Sequence, residues 1–426
     1  MSEQVSDSTQ RVISIPELLR NIFFSLPRLC DTYHSALVCR TWSEIALDAL
    51  WYEVDDLCIL LNLLVPLTTA GPGFHRKFIR CPIPEDWIHF ERYSRRVRTL
   101  LVDYDTPLPA QSVFAEIGRT RIRPEILPNL WSLHLFGDNY LCAIFLHSGI
   151  RDLAVHLDLS LFERVSFFLH HARFFSRSLV TLEIRTGRIA GSDPHPVGCI
   201  ATGLSSWLLQ LQDLEELTLP RFWNTTYVCK VLSQLPRLSY VGFEYYERNG
   251  YGNPIDTLTF NPMHSEADRG SILFPSLISF SQNAPFSESI QFITSWQHSS
   301  RLTDLILESQ ILETPDSFRS GLLSIADGCP LLSKLGLACL ITTYLDHPGV
   351  ATPSRSRITL DVLLPLHKLN HLLSFEIAHT LPIALTDDDF VALVKPWHKL
   401  ERLGLGPDPY PFGSDNYTRF RGFGSR

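Results

Sequence analysis

From Val97 onward one pattern keeps returning in this chain: L-x-x-L-x-L, with Val, Ile or Phe allowed at the apolar places. Copies start at Val97, Leu130, Ile150, Leu179, Leu214, Leu238, Leu277, Leu302, Leu332, Leu372 and Leu400, and Gln282 spoils the copy at Leu277. In a chain that is 45% apolar, three chosen places are all apolar by chance about once in eleven, so the bare pattern constrains little. Its context constrains more. Several copies share a longer phrase in which a short helical segment runs into the pattern, often through a proline: LSQLPRLSYVGF, IADGCPLLSKLGL, LVKPWHKLERLGL and ILPNLWSLHLFG. The starts lie 20 to 40 residues apart, a spacing of stacked supersecondary units.

In such a unit x-L-x-L-x is a short strand with inward leucines, and the next helix or turn covers it, so no unit buries its own core. The expected fold is α/β: an irregular leucine-rich-repeat solenoid over residues 85–406, with short parallel strands alternating with helices. In the last unit Thr386 or Asp387 should cap a helix carrying Phe390, Leu393 and Val394 before the strand from Leu400. Regular repeats carry Asn or Cys eight places after the start to bond the turn backbone. Here six copies hold Asp105, Asp138, Asp158, Gln310, Thr380 and Asp408, and five hold Gly187, Phe222, Tyr246, Pro285 and Leu340. The stack should therefore be uneven, with insertions near 249–270 and 347–357. Residues 407–426 read as a flexible tail, and residues 1–10 as a disordered start.

From Ile13 the chain reads ISIPELLRNIFFSLPRLCDTYHSALVCRTWSEIALDALWYEVDDL, apolar at helical intervals. Ser14, three places before Glu17, suggests a capping box, and Pro16 suits an early helical position. Leu18, Leu19, Ile22, Phe23 and Leu26 form an apolar stripe that Pro27 closes. A second helix from about Asp31 is expected to carry Ala36, Leu37, Val38 and Trp42, and a third Ile45, Ala46, Leu50 and Trp51. A module this small rarely supplies more than about 3 to 5 kcal/mol of core stability, so its apolar stripe needs burial elsewhere.

The strings I-P-E-L-L-x-x-I-F-x-x-L, A-L-V-C-R-x-W and A-x-x-x-L-W fall in that order within residues 11–55. They resemble the F-box family, with Ile15 standing where Leu is usual. The carriers are Ile15, Pro16, Glu17, Leu18, Leu19, Ile22, Phe23, Leu26, Val38, Cys39, Arg40, Trp42, Leu50 and Trp51. The resemblance implies docking on a Skp-family adaptor, and through it on a cullin, by Pro16, Leu18, Leu19, Ile22, Val38, Cys39, Trp42 and Trp51. Cys39 is read as a small buried hydrophobe. The implied function is the substrate-recognition subunit of a Skp–cullin–F-box ubiquitin ligase, the solenoid binding an unknown protein substrate. The competing reading is a leucine-rich interaction scaffold whose helical end is only a cap.

Residues 56–84 read as a connector: a helix tail ended by Pro66, then the Gly- and Pro-rich TTAGPGFHRKFIRCPIP. Trp87, Phe90, Ser94 and Val97 then mark an amphipathic helix whose outer face holds Arg92, Arg95, Arg96 and Arg98. Those arginines read as a solvated helix face in preference to a nuclear-localisation or phosphate patch. This segment, with LWYEVDDL before it, resembles the region C-terminal to the F-box in many fungal F-box proteins.

The net charge of -8 argues against nucleic acid as a main partner. Met1 to Arg11 lack a signal-peptide pattern, and no run of 18 apolar residues suggests a membrane span. The nine scattered cysteines fit a reducing compartment, cytosol or nucleus, which leaves the triplets at Asn224 and Asn416 unglycosylated. No catalytic, nucleotide or metal motif is found, so neither enzyme activity nor a cofactor or metal is expected. His170, His171 and His195 complete no ligand set, and Asp387, Asp388 and Asp389 suit a helix N-terminus. Recognition then falls to residues between the inward leucines: Glu183, Arg185, Glu216, Glu244, Asp304, Glu308, Lys334, Glu376 and Arg402. Six of these nine are acidic, which favours a basic ligand, and Phe243, Tyr245, Tyr246 and Trp223 could supply an aromatic hot spot. The candidate substrate-binding residues are Glu216, Trp223, Glu244, Tyr246, Asp304, Glu308 and Glu376.

Overall fold

The computed structural model describes residues 15–69, 76–103, 108–136, 140–157, 162–175, 177–186, 197–220, 226–243, 273–283, 285–294, 296, 301–309, 313–339, 357–379 and 381–406. The chain forms two compact units, one of residues 1–156 with 174–179, the other of 157–173 with 180–426.

The first unit opens with three helices, α1 (Pro16–Phe24), α2 (Leu29–Ala36) and α3 (Arg40–Leu50). Pro16 takes the first helical place, as its missing N–H allows, but the N-cap is Ile15, with no side-chain cap bond; Ser14 lies outside the described residues. The second helix is shorter than expected. Leu37 N–H and Val38 N–H donate three residues back to His34 and Ser35, tightening its end. Cys39 is extended (φ -159°, ψ 168°), so Leu37 and Val38 form a turn and Trp42 belongs to α3.

Trp51 ends α3, and the chain enters β1 (Glu53–Val54). Asp56 then caps α4 (Leu57–Asn62) by accepting from the N–H groups of Cys58 and Ile59, so the helix expected to run to Pro66 is a separate one. Its Leu57, Cys58, Leu60 and Leu61 are buried, because this stretch, read as a connector, covers part of the core. An antiparallel pair, β2 (Leu67–Thr69) and β3 (Arg76–Phe78), comes next. Helix α5 (Pro84–Ser94) buries Trp87, Phe90 and Ser94, the face its spacing predicts. Then come β4 (Thr99–Val102), α6 (Gln111–Thr120), β5 (Ser132–Leu135) and β6 (Asp152–Leu157). The strands lie parallel in the order β1-β4-β5-β6, with Glu53, Thr99, Ser132 and Asp152 in register.

The second unit carries α7 (Phe162–Phe175), which runs on into the residues of the first, and β7 (Thr181–Thr186), α8 (Val197–Leu208), β8 (Glu216–Leu219), α9 (Thr226–Leu232) and β9 (Tyr240–Phe243). It continues with β10 (Ser279–Asn283), α10 (Phe286–Thr294), β11 (Asp304–Ser309), α11 (Pro315–Gly328), β12 (Lys334–Cys339), α12 (Leu360–Leu363), β13 (Ser374–Ala378), α13 (Asp387–Val394) and β14 (Arg402–Gly406). Strands β7 to β14 are parallel and pair in chain order. Each of the eleven L-x-x-L-x-L starts is succeeded two residues later by a strand. One register row runs Leu182, Leu217, Val241, Phe280, Leu305, Leu335, Phe375, Leu403, buried throughout until the half-exposed Leu403. This is the parallel-strand and helix solenoid the repeats call for.

The turns are satisfied by residues the repeat pattern did not mark. Glu313 accepts hydrogen bonds from Phe286 N–H (2.9 Å), Ser309 Oγ (2.8 Å) and Ser317 Oγ (2.7 Å). The carbonyl of Glu313 accepts from His379 Nε2 at 3.1 Å, while His379 Nδ1 accepts from Leu381 N–H at 2.9 Å. His147 Nδ1 likewise accepts from Gly149 N–H at 3.0 Å. Of the eleven places expected to bond the turns, all but Pro285 lie outside the described residues, as do the two expected insertions apart from Arg357.

Two features of this core are open to test. Gln282 sits in register with Leu307, which aligns with Leu337 and Ile377, and both of its amide atoms are buried with no hydrogen bond. Gln282→Leu should raise stability by about 1 to 3 kcal/mol in chemical denaturation; a destabilised variant would mean that the amide is bonded in solution. The second concerns acid. Burial holds His147 and His379 below the ordinary histidine range. Unfolded histidines take up a proton near pH 6.5, so the unfolded chain binds more protons below that value and stability falls with pH from about 6.5 downward. The thermal midpoint should drop between pH 7.5 and 5, and drop less in a His147→Gln, His379→Gln chain; equal slopes for the two would refute the assignment.

Candidate protein-docking surface

Helix α1 is apolar on two sides. Leu19 and Phe23 turn inward and, with Ala46 of α3, form a buried cluster against which Leu26, Ala36, Trp42, Ile45 and Ala49 pack. Phe23 meets the edge of Trp42 at 5.4 Å between ring centroids. On the other side Ile15, Leu18 and Ile22, at offsets of three and four, face solvent. Exposed Leu29, Tyr33, Leu37 and Val38, from α2 and its closing turn, add to them. Leu29 is 70% exposed, Leu37 67% and Ile22 45%; one exposed leucine is ordinary, and it is the number of such residues on one small module that is informative. The bundle thus completes its own small core and leaves a second apolar set uncovered.

Of the eight candidate contacts, Pro16, Leu18, Ile22, Val38 and Cys39 are exposed. Cys39 is thus not the buried hydrophobe expected, because its extended backbone starts α3 at the surface. Leu19 is 1% exposed and offers no surface; the stripe read as one face is two, and Leu19 lies on the inner one. Trp42 is half-buried against the bundle's own core. Trp51 is half-buried too, its ring against Tyr93 of α5 at 5.6 Å. Sequence reasoning did not include Leu29, Tyr33 and Leu37 in the set, although their offsets of four were a helical signal.

The far side of the module is tied to α5. Arg96, in the turn that follows α5, donates to the carboxylates of Glu44 and Asp48 and, at 2.9 Å, to the carbonyl of Glu44, all on α3. Arg92 adds a bond to Glu44 at 2.9 Å. The Arg96 hydrogen bond holds the Glu44 carboxyl below the ordinary range. Arg95 and Arg123 both pair with Glu91. Two of the four arginines, Arg92 and Arg96, are thus ion-paired to α3, while Arg92 and Arg95 still expose half of their side chains, as a solvated face would.

On the open face of the first unit, Ser132, His134 and Asp152 come together. Ser132 Oγ donates to Asp152 Oδ2 at 2.7 Å, and His134 Nε2 meets the same oxygen at 2.8 Å and Ser132 Oγ at 3.2 Å. A nucleophilic relay needs the carboxylate on one ring nitrogen and the serine on the other. Here both converge on Nε2 and one oxygen, so the trio is wired as a cross-strand brace. Among the described residues no group of three His, Cys, Asp or Glu is placed to hold a metal, and no helix is long and apolar enough to cross a membrane.

The second unit's open face is less acidic than its sequence suggests. Arg185 pairs with Glu183, Lys334 with Asp304 at 3.1 Å, and Arg402 with Glu376 at 3.4 Å. Glu216 is exposed and Asp304 half-exposed. Glu308 is 1% exposed and Glu376 is also buried, and burial raises the Glu376 carboxyl; these two are corrections to the expected ligand-facing set, since their side chains pack within the sheet face and do not stand in solvent. Trp223, Glu244, Tyr245 and Tyr246, the expected aromatic hot spot and its acidic neighbour, lie outside the described residues.

Residues 16–56 match the model of the F-box-like family. The three-helix module is thus F-box-like, and its matched stretch ends two residues after β1. No curated protein matches the chain. Among solved structures, one titled "Crystal structure of TLR13-ssRNA13 complex" aligns at 14% identity and a TM-score of 0.33. The alignment covers 74% of this chain, which spans 36% of that one.

The clamp on the F-box-like module is testable. Arg96→Ala should lower stability by roughly 1 kcal/mol, because the carboxylates it bridges stay half-exposed, and should speed amide exchange in α3. Arg96→Lys keeps the charge without the fork and should rescue only in part. Unchanged exchange in α3 for both variants would show that the ion pairs do not hold the helix.

Proposed function

We propose that this protein is the substrate-recognition subunit of a Skp–cullin–F-box ubiquitin ligase. The observation that carries the reading is the second apolar set on the F-box-like module, exposed although the module's own core is complete. If the seven exposed side chains Ile15, Leu18, Ile22, Leu29, Tyr33, Leu37 and Val38 each hid about 90 Å² on a partner, the gross gain would be roughly 16 kcal/mol. Association and ordering cost about 4 to 15 kcal/mol, so a stable complex remains. The partner is a Skp-family adaptor, which brings a cullin, and the place of action is the cytosol or nucleus. Pro16 and Cys39 belong to the same docking surface, and Trp42 and Trp51 support it from behind.

Cargo is bound by the repeats. On the second unit the exposed Glu216 and the half-exposed Asp304 are the retained candidates, with Trp223, Glu244 and Tyr246 beside them in sequence terms. The ion pairs along that face favour a ligand that reads alternating charge over one that is simply basic.

Co-purification with a Skp-family adaptor tests the reading. Leu18→Asp, Ile22→Asp and Val38→Asp should each weaken capture more than tenfold while leaving the thermal midpoint within about 2 °C, since all three side chains already face water. Leu19→Asp should instead unfold the module. Capture that survives all three surface changes would favour the leucine-rich scaffold.

A further inference from the structure

The chain's basic residues are divided unevenly. Lysine and arginine total 37, of which only six are lysine, at 77, 230, 334, 368, 395 and 399, leaving 31 arginines. Lysine is ordinarily among the commonest residues of soluble proteins. The bias is sharpest in the first unit, where fifteen arginines stand against Lys77 alone. In the second unit the numbers are sixteen and five.

Geometry accounts for some of these arginines. Arg80 grips both oxygens of Asp86, at 2.6 and 2.7 Å, and Arg96 bridges two carboxylates; both tasks need a planar fork. Others have no such task. Arg119, Arg151 and Arg177 are exposed and hold no ion pair among the described residues. A lysine would serve charge and solubility equally there. What separates the two side chains at an exposed, unpaired place is reactivity: an ammonium can lose its proton and acylate, whereas a guanidinium stays protonated.

We infer that the adaptor-bearing unit is depleted of ubiquitin acceptors, so that the receptor transfers ubiquitin to cargo without marking itself, and that Lys77 is the residual site on this unit. The inference rests on the receptor role proposed above. In the transfer the neutral ε-amine attacks the thioester carbonyl of charged ubiquitin, a C–N bond forms, the C–S bond breaks, the carrier's thiolate leaves and the amine proton passes to solvent. Arginine cannot enter that step. Lys77 can, because it lies exposed on β3 with no ion pair among the described residues.

The test uses the full chain with its adaptor, cullin complex, activating and conjugating enzymes, ubiquitin and ATP, and no cargo. Self-conjugation is tracked for the natural chain, for Lys77→Arg, and for a chain carrying Arg119→Lys, Arg151→Lys and Arg177→Lys. The three added amines should raise self-conjugation on this unit at least threefold, and Lys77→Arg should remove the conjugates that peptide mapping finds there in the natural chain. Adaptor capture and ubiquitin discharge onto free lysine are measured in parallel. Normal capture and discharge with no rise in the lysine-bearing chain would overturn this inference alone, as would conjugates on the natural chain as abundant as on that chain. Failure of capture would overturn the receptor role, and this inference with it.

Discussion

The first strand of a parallel row leaves backbone groups open unless another segment pairs with them, and here the chain that leaves the helical module supplies that pairing to β4. The carbonyl of Tyr52, two residues past α3, accepts from the N–H groups of Arg98 and Thr99 at 2.8 and 2.9 Å, and β1 then pairs with β4. An exposed strand edge is a template for unwanted association, so the short β1 both begins the ladder and shields it. Trp51 against Tyr93, Phe24 against Tyr52 at 5.1 Å, and the Arg96 clamp all gather around this junction. The apolar surface of α1 and α2 is therefore presented from a fixed base within the first unit.

Much of this was legible in the sequence, because the signals were periodic. Strand positions derive from apolar places at fixed offsets, and the burial of Trp87, Phe90 and Ser94 derives from spacings of three and four. What failed was the assignment of sides. Leu18 and Leu19 are neighbours in one apolar stripe, yet a helix turns them about 100° apart, one into the core and one to water. The end of α2 was misplaced because Leu37 and Val38 continue the apolar pattern through a turn, where the deciding contacts are backbone bonds to His34 and Ser35.

Charge was the least legible property. Arg92 and Arg96 look like a patch until α3 brings Glu44 and Asp48, some fifty places earlier, beside them. Glu308 and Glu376 sit at open-face positions by alternation, but both are buried, Glu376 beside Arg402 of the next strand. In both cases the partner or cover comes from a different element, and no local pattern reports it. The same holds for Glu313, which belongs to no repeat position and still collects bonds from three other segments.

That carboxylate has a consequence for how the chain opens. Stacks of repeats behave to first approximation as a line of neighbours, each able to loosen with only its adjacent contacts at stake. Glu313 ties the start of α10, the end of β11 and the first turn of α11 to one side chain, and its carbonyl ties in His379 beyond β13. Detaching any one of them strands the others' polar groups in a dry interior, so these repeats should come apart as a single foldon and not fray one at a time.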